Sequence, residues 1–423
     1  MTIATLRLAA TLEGALASGH PWVYRNHLPR HTLRTGDVVR LEAGRSASYG
    51  IYDDDGAIAV RLFGTVLPDD ALVAHRVDEA LAARADLLSG DHDAYRLIHG
   101  EGDYLPGIVV DRYGRFAVVK SYSAGMRRLL PVVARQVGTR LRLKGVALRG
   151  EPDDGAATTA GAHGGGHGGG RGGDGDVASG SGPADARHVD AVADPLTSLW
   201  GELPPPEVTV RENGMAFVAD LRRGQKTGLF LDQRENRALV GTVSRDRRVL
   251  NLFAYNGGFS VYALAGGARS VTSVDVSVAA LEAAERNVRD NGLDPAKHVT
   301  EVADLFTALP AWATARERYD LVVLDPPSLA NAAAQRRRAL RAYHRLNRDA
   351  MRLVEPGGLL ATASCTAQVA PEAFKEMLAD AARAAGVRAQ IVAERGHAMD
   401  HPVPLAFPEG RYLKFVMLRI LAA

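Results

Sequence analysis

VLNLFAYNGGFSVYALAGGARSVTSVD, residues 249–275, decides how this chain folds. Its apolar start, Val249 to Phe253, reads as a buried strand. The turn Tyr255-Asn256-Gly257-Gly258 follows, then a short apolar helix from about Phe259 to Ala265. A second β-rich run, Ser270 to Val274, ends on Asp275. Glycines in such a turn let the backbone approach a ligand, and an acid ending the second strand can accept hydrogen bonds from ribose hydroxyls. The unit is therefore a candidate nucleoside-cofactor site. It lacks GxGxxG, so a pyrophosphate-bearing dinucleotide fits poorly and S-adenosylmethionine is the natural alternative. The plain alternative is a βαβ crossover with no ligand.

Outward from this unit, strands and helices alternate. Strands are expected at 249–253, 270–275, 298–302, 319–324 and 359–364, with helices at 257–266, 277–292, 333–354 and 371–385. Runs at 389–394 and 412–420 close the sheet without an intervening helix. The pattern predicts an α/β, Rossmann-like sheet, mostly parallel, with one antiparallel strand near the edge. Ligands bind such sheets at the carboxyl ends of the strands. That edge gathers Asn251–Gly258, Asp275, Asp304, Asp325-Pro326-Pro327 and Ser364-Cys365-Thr366. Asp275 would hold the ribose and Asp304 the adenine amino group. The two prolines make a rigid turn that fixes Asp325. A lone cysteine is usually a small buried hydrophobe. Cys365 instead sits between polar neighbours at the ligand edge, which points to a nucleophile.

The whole chain sets bounds. Its 423 residues, 46% hydrophobic, suffice for two or three domains. No apolar run reaches the ~20 residues of a membrane span, and the N-terminus lacks the apolar stretch of a secretory signal. Cys365 is the single cysteine, which excludes an internal disulfide and fits a reducing cytoplasm. A net charge of +2 gives no global basic field, so nucleic-acid contact must come from local patches.

Residues 1–70 read as a small β-rich unit, with a hairpin turn at Asp53-Asp54-Asp55-Gly56. The GDVVRLE and YGIYDDDGAIAVRLF runs resemble a PUA domain, a small β-barrel attached to RNA-modifying enzymes. Residues 71–220 read as an α+β unit. A Gly/His-rich insertion at 151–195, with GAHGGGHGGGRGGDGD at its core, cannot bury a core and reads as a disordered linker. Its histidines lack rigid geometry, so no metal site is expected. Glu212-Asn213-Gly214 signals another hairpin. The polar GQKTG loop, 224–228, invites a binding role, and Asp232 with Glu235 reads as a capping box for a helix at 233–242. The remaining unit, built around the 249–275 stretch, would span 221–423.

GQKTGLFLDQRENR, NLFAYNGGFSVYAL, SVDVS, VVLDPPSLA, LNRDAMRLVEPGG, ASCT and DHPVPLAFPEGRYLKF together resemble the RlmI-like family of 23S ribosomal RNA (cytosine-C5) methyltransferases. The resemblance covers about 207–423 and accords with the PUA-like start; the Gly/His-rich segment departs from it. It implies S-adenosylmethionine as methyl donor, Cys365 as catalytic nucleophile and Asp325 as its partner on the cytosine. Cofactor contacts are expected from Asn251, Phe253, Tyr255, Gly257, Asp275, Asp304, Asp325 and Gln233. Many RNA cytosine-C5 enzymes carry a second cysteine where this chain has Pro327, so the group that assists proton removal is not identified by the motifs.

A basic stripe comes from spacing alone. Arg338, Arg341, Arg345, Arg348 and Arg352 recur every three or four residues on one predicted helix, after Arg336 and Arg337. Beside the active edge it would track an RNA backbone; a solvated helix face is the plain alternative. RNA contacts are expected at Arg341, Arg345, Lys226 and Arg25. The partners are 23S ribosomal RNA and, for a homodimer, a second copy of the chain. Rivals are a guanine-N2 methyltransferase, which needs no thiol, a non-catalytic RNA-binding protein, and a nicotinamide dehydrogenase.

Overall fold

A computed structural model describes residues 3–88, 91–150, 195–315, 317–330 and 332–423. The first sheet contains β1 (Ala4–Arg7), β2 (Trp22–Tyr24), β3 (Val38–Ala43), β4 (Ser46–Tyr52) and β5 (Ile58–Gly64), in the order β1-β3-β4-β5-β2. Strand alternation makes its core: β3 buries Val39, Leu41 and Ala43 and leaves Arg40 and Glu42 half-exposed. α1 (Glu13–Ser18) covers the sheet through Leu16. The turn between β4 and β5 is held by Arg25. Its Nε donates to the Gly56 carbonyl (2.9 Å), Nη2 to the Asp53 carbonyl (2.9 Å) and Nη1 to the Tyr52 hydroxyl (3.1 Å). Arg25, expected to meet a phosphate, thus has each of its three guanidinium nitrogens bonded within this unit.

α2 (Asp70–Ala82), capped by the Asp69 carboxylate at Leu72 N (2.8 Å), and α3 (Ala85–Leu88) lead into a second sheet. It orders β6 (Ala94–His99), β7 (Ile108–Tyr113), β8 (Phe116–Ser121), β9 (Gly145–Arg149) and β10 (Leu196–Gly201) as β10-β9-β8-β7-β6, with α4 (Leu130–Arg140) packed on it. The sequence did not announce β10. It pairs antiparallel with β9 and returns the chain to this sheet after the insertion expected at 151–195, of which residues 151–194 lie outside the described residues. Only Leu196 of β10 is buried, so its apolar signal is weak.

The hairpin β11 (Glu207–Glu212) and β12 (Met215–Asp220) turns through Asn213 and Gly214, both at positive φ, as an Asn-Gly turn should. Its Val210, Phe217 and Ala219 share a core with Phe259 and Tyr262 of the third sheet's helices.

That third sheet orders its seven strands β15-β14-β13-β16-β17-β19-β18. They are β13 (Arg248–Leu252), β14 (Ser270–Asp275), β15 (His298–Val302), β16 (Tyr319–Leu324), β17 (Val354–Ser364), β18 (Val387–Arg395) and β19 (Lys414–Ala422). β19 runs antiparallel to both its neighbours, β17 and β18, as the missing final crossover helix predicted. The helices are α5 (Arg234–Thr242), α6 (Gly258–Ala265), α7 (Val278–Asp290), α8 (Leu305–Ala315), α9 (Arg336–Arg352) and α10 (Pro371–Ala385). α8 went unanticipated; Pro310 inside it interrupts the helical pattern. α9 stops at Arg352, two residues short of the expected 354, and Pro356-Gly357-Gly358 is an irregularity within β17. Tyr319 pairs with Val354, and Leu321 already with Leu359. Asp232 is not a helix cap either: Gln233 holds that position without a side-chain bond.

A buried carboxylate ties the second and third sheets together. Asp400 accepts from Arg234 Nη1 (2.9 Å) and Nη2 (3.1 Å), from His401 Nδ1 (2.9 Å) and from the main chain of Arg96 (2.8 Å), while its carbonyl accepts from Arg84 (2.8 Å). Burial alone would raise the Asp400 carboxyl, yet His401 and Arg234 hold it well below the usual carboxylate range. Its contribution is therefore complete above the ordinary carboxylate pKa and lost as pH falls through the depressed value. Asp400→Ala leaves the buried Arg234 with only the partly exposed Glu235 as an acidic partner, which should cost about 3 kcal/mol. Urea unfolding at neutral pH should show a lower midpoint, with the gap to wild type narrowing in acid. Equal midpoints at neutral pH would contradict this role.

Candidate active site

The strand order reverses between β13 and β16, and the loops there form the cleft. After β13 the backbone turns through Phe253 (φ +59°), Tyr255 (φ +47°) and Gly257 (φ +74°). Two non-glycine residues in this region cost on the order of 1–3 kcal/mol each, a cost met typically at ligand sites. The loop is pinned to β14: Ala254 N donates to the Val274 carbonyl and Tyr255 N to Asp275 Oδ2, both at 2.9 Å. Gly257 packs so tightly on α7 that a Cβ there would lie 2.6 Å from the Ala284 Cβ.

Asp275 also accepts from Ser277 N (3.0 Å), which leaves lone pairs for a ribose diol. Asn251 is buried; its Nδ2 donates to Ser260 (2.9 Å), and its Oδ1 has no protein partner. Asp304 is exposed and starts α8, accepting from Phe306 N (3.0 Å) and Thr307 Oγ1 (2.6 Å). Phe306, which sequence reasoning passed over because α8 was not recognised, meets Phe253 edge-on with ring centroids 5.6 Å apart. The pair forms an apolar wall beside Asp304.

The chemical end lies one strand over. β16 and β17 are parallel neighbours, so Asp325 and Cys365 leave the sheet at the same edge. Thr366 Oγ1 donates to the Ala330 carbonyl (2.7 Å), which staples the two outgoing loops. Gln233 is buried behind Asp325: its Nε2 donates to Asp325 Oδ2 (2.9 Å) and its Oε1 accepts from Asn236 (2.7 Å). It therefore reaches the site through Asp325. Burial, and then the charge of Asp232, push the Asp325 carboxyl up to about 7, against the pull of Lys226 and Gln233. Burial, and then Asp325, push the Cys365 thiol up to about 12, against Lys226 and Lys414.

The GQKTG loop completes the cleft. Thr227 donates to Asp111 (2.6 Å) and meets the Tyr113 hydroxyl (2.8 Å), so the second sheet fixes the loop. Lys226 then pairs with Asp232 at 2.5 Å, over the Phe230 ring. Tyr412 donates to the same Asp232 oxygen (2.7 Å). Burial opposes the Asp232 charge, but Lys226, His401 and Tyr412 hold its carboxyl far below the usual range. Its distant partners could not be read from a local capping pattern.

The arginine stripe is shorter than its spacing suggests. Arg338, Arg341 and Arg345 are exposed, whereas Arg348 binds Asp349 and Arg352 reaches the Ala384 carbonyl. The exposed part is the end of α9 nearer the cleft. Among the described residues, no group of three or more His, Cys, Asp or Glu is placed to hold a metal ion, and no helix is long and apolar enough to cross a membrane.

A family model for S-adenosylmethionine-dependent methyltransferases matches residues 195–396, and one for PUA-like domains matches residues 6–65. Fold and cleft thus define an S-adenosylmethionine-dependent methyltransferase with an N-terminal PUA-like domain. A ribosomal RNA large subunit methyltransferase of Deinococcus radiodurans is 40% identical over 98% of this chain and 97% of its own. The ribosomal RNA large subunit methyltransferase I of Tolumonas auensis is 34% identical over 99% of each. The chain belongs to this family of ribosomal RNA large subunit methyltransferases. A solved methyltransferase complexed with SAH covers 99% of this chain and 100% of its own at 20% identity and a TM-score of 0.79, which shows the shared fold. S-adenosylmethionine is accordingly the cofactor. The left-handed first loop, the spare lone pairs of Asp275 and the unpartnered Oδ1 of Asn251 fit it.

Gln233→Met removes a donor that favours the charged form of Asp325, so that carboxyl should titrate above its value of about 7. Carbon-13 NMR titration of the Asp325 carboxyl checks this. An unchanged or lower midpoint would show that Gln233 does not tune it.

Proposed function

We propose that this protein methylates C5 of a cytosine in 23S ribosomal RNA, through a transient bond between Cys365 Sγ and C6 of the base. The observation that carries the reading is the placement of Cys365 beside Asp325, at the carboxyl ends of adjacent parallel strands. C5 of cytosine is too weak a nucleophile to take a methyl group unaided. A thiolate that adds to C6 makes C5 enamine-like; loss of the C5 proton and expulsion of the thiolate then restore the ring. This covalent route divides one hard step into two easier ones. S-adenosylmethionine supplies the electrophilic methyl group.

Asp325 takes the N3/N4 edge of the cytosine, and a carboxyl that titrates near 7 can meet that edge as donor or acceptor. Asn251, Phe253, Tyr255 and Gly257 form the cofactor loop, with Asp275 on the ribose and Asp304 on the adenine. Arg341 and Arg345 meet the RNA backbone, and Lys226 stands at the cleft. The names of the relatives support ribosomal RNA as substrate. We assign residues 1–70 to RNA docking, 71–220 to the middle domain and 221–423 to methyl transfer, and place the protein in the cytoplasm. A guanine-N2 enzyme needs no thiol, because its amine attacks directly; the position of Cys365 favours the cytosine.

Cys365→Ala should bind S-adenosylmethionine with unchanged affinity and transfer no methyl group. On RNA carrying 5-fluorocytosine, wild type should stall as a covalent adduct, because fluorine cannot leave as a proton, and Cys365→Ala should form none. Methylation by Cys365→Ala at a near-wild-type rate would sink the cytosine-C5 reading.

A further inference from the structure

Lys414 opens β19, directly opposite Ser364 in the antiparallel pairing with β17 and so beside Cys365. It is 4% exposed. Its ammonium donates to two main-chain carbonyls, those of Thr366 and of Tyr412 (2.8 Å). No carboxylate pairs with it among the described residues. A buried ammonium without a counter-charge is costly, by several kcal/mol in general, because carbonyl dipoles replace only part of its hydration. Lys226, the other cation near the thiol, differs: Asp232 already neutralises it at 2.5 Å. Lys414 is thus a buried cation lacking an anion, next to a thiol that must become one.

We propose that Lys414 accepts the Cys365 thiol proton and then serves as the counter-charge of the thiolate, a role that rests on the cytosine-C5 reading above. As a free amine, Nζ takes the proton from Sγ. The S–H bond breaks, an N–H bond forms, and a neutral pair becomes an ion pair with no change in total charge. The sulfur lone pair then forms the bond to C6. When that bond breaks at the end of the reaction, its electron pair returns to sulfur and Lys414 returns the proton. Burial lowers the Lys414 ammonium to about 8, so the ammonium predominates at neutral pH and the free amine is a minor form that grows as pH rises. The charged groups that act on the thiol are Asp325 from the loop after β16, Lys226 and Asp232 from the segment before α5, and Lys414 from β19, and the buried Tyr343 hydroxyl of α9 also faces it. Of the two cations, only Lys414 has no carboxylate of its own.

Because Cys365 is the single cysteine, its alkylation by iodoacetamide reports one thiol. Alkylation rate against pH and single-turnover methyl transfer should be measured for wild type, Lys414→Met and Lys414→Arg, with S-adenosylmethionine binding as the check on folding. In Lys414→Met the alkylation curve should move to higher pH and methyl transfer should fall by about 100-fold or more, at unchanged cofactor affinity. Lys414→Arg keeps the charge but cannot accept a proton. It should hold the alkylation curve near wild type, lose methyl transfer at neutral pH and regain it as pH rises. Wild-type alkylation and transfer profiles in either variant would overturn the assignment. Failure of the cytosine-C5 reading would appear separately, as a wild type that forms no adduct with 5-fluorocytosine RNA.

Discussion

The buried Asp400 carboxylate holds the cleft in shape. The carboxylate accepts from the Arg96 main chain in the second sheet and from Arg234 of α5, and the Asp400 carbonyl accepts from Arg84, so one residue fixes how the middle unit meets the methyltransferase sheet. Arg84 and Arg96 are each held again by bidentate pairs, to Asp103 and Asp111. The segment carrying Asp400 runs on to the first sheet, where Phe407 packs edge-on against Trp22 at 4.5 Å and Glu409 faces His20. Trp22 in turn donates to Glu101 at 2.8 Å. The three units are therefore tied by the stretch that leads directly into Tyr412 and Lys414.

That arrangement gives ionisable groups a few ångströms apart very different environments. Asp232 stays charged because Lys226 and Tyr412 face it, whereas Asp325, with one amide donor and a charged neighbour, titrates near neutrality. Two carboxyls pushed in opposite directions by their surroundings are the mark of a site with separate acid–base roles. Burial favours the protonated thiol, so the proposed reaction requires both a proton acceptor and a positive charge beside the sulfur.

Much of this could be read from the chain before its structure was known. The 249–275 stretch carries strand, turn, helix and acid in local order, and strand–helix alternation orders the sheet by general rules; Asp325 and Cys365 followed to one edge. What could not be read depends on contacts between distant residues. Asp232 looked like a cap because Glu235 lies three residues on, yet its hydroxyl partner is Tyr412. Arg25 looked like a surface cation but closes a turn some thirty residues away. Lys414 carried one faint signal: it opens an otherwise apolar run, KFVML, where a buried charge is uncommon unless it has a task.

The central claim is that one cytosine of 23S ribosomal RNA owes its C5 methyl group to this protein. Nucleoside mass spectrometry of 23S RNA from a strain lacking the gene, beside its parent and a complemented strain, tests it most directly. Loss of one 5-methylcytidine, restored by wild type but not by the Cys365→Ala variant, is the expected result. Unchanged 5-methylcytidine together with loss of an N2-methylguanosine would contradict the claim and assign the cleft to guanine.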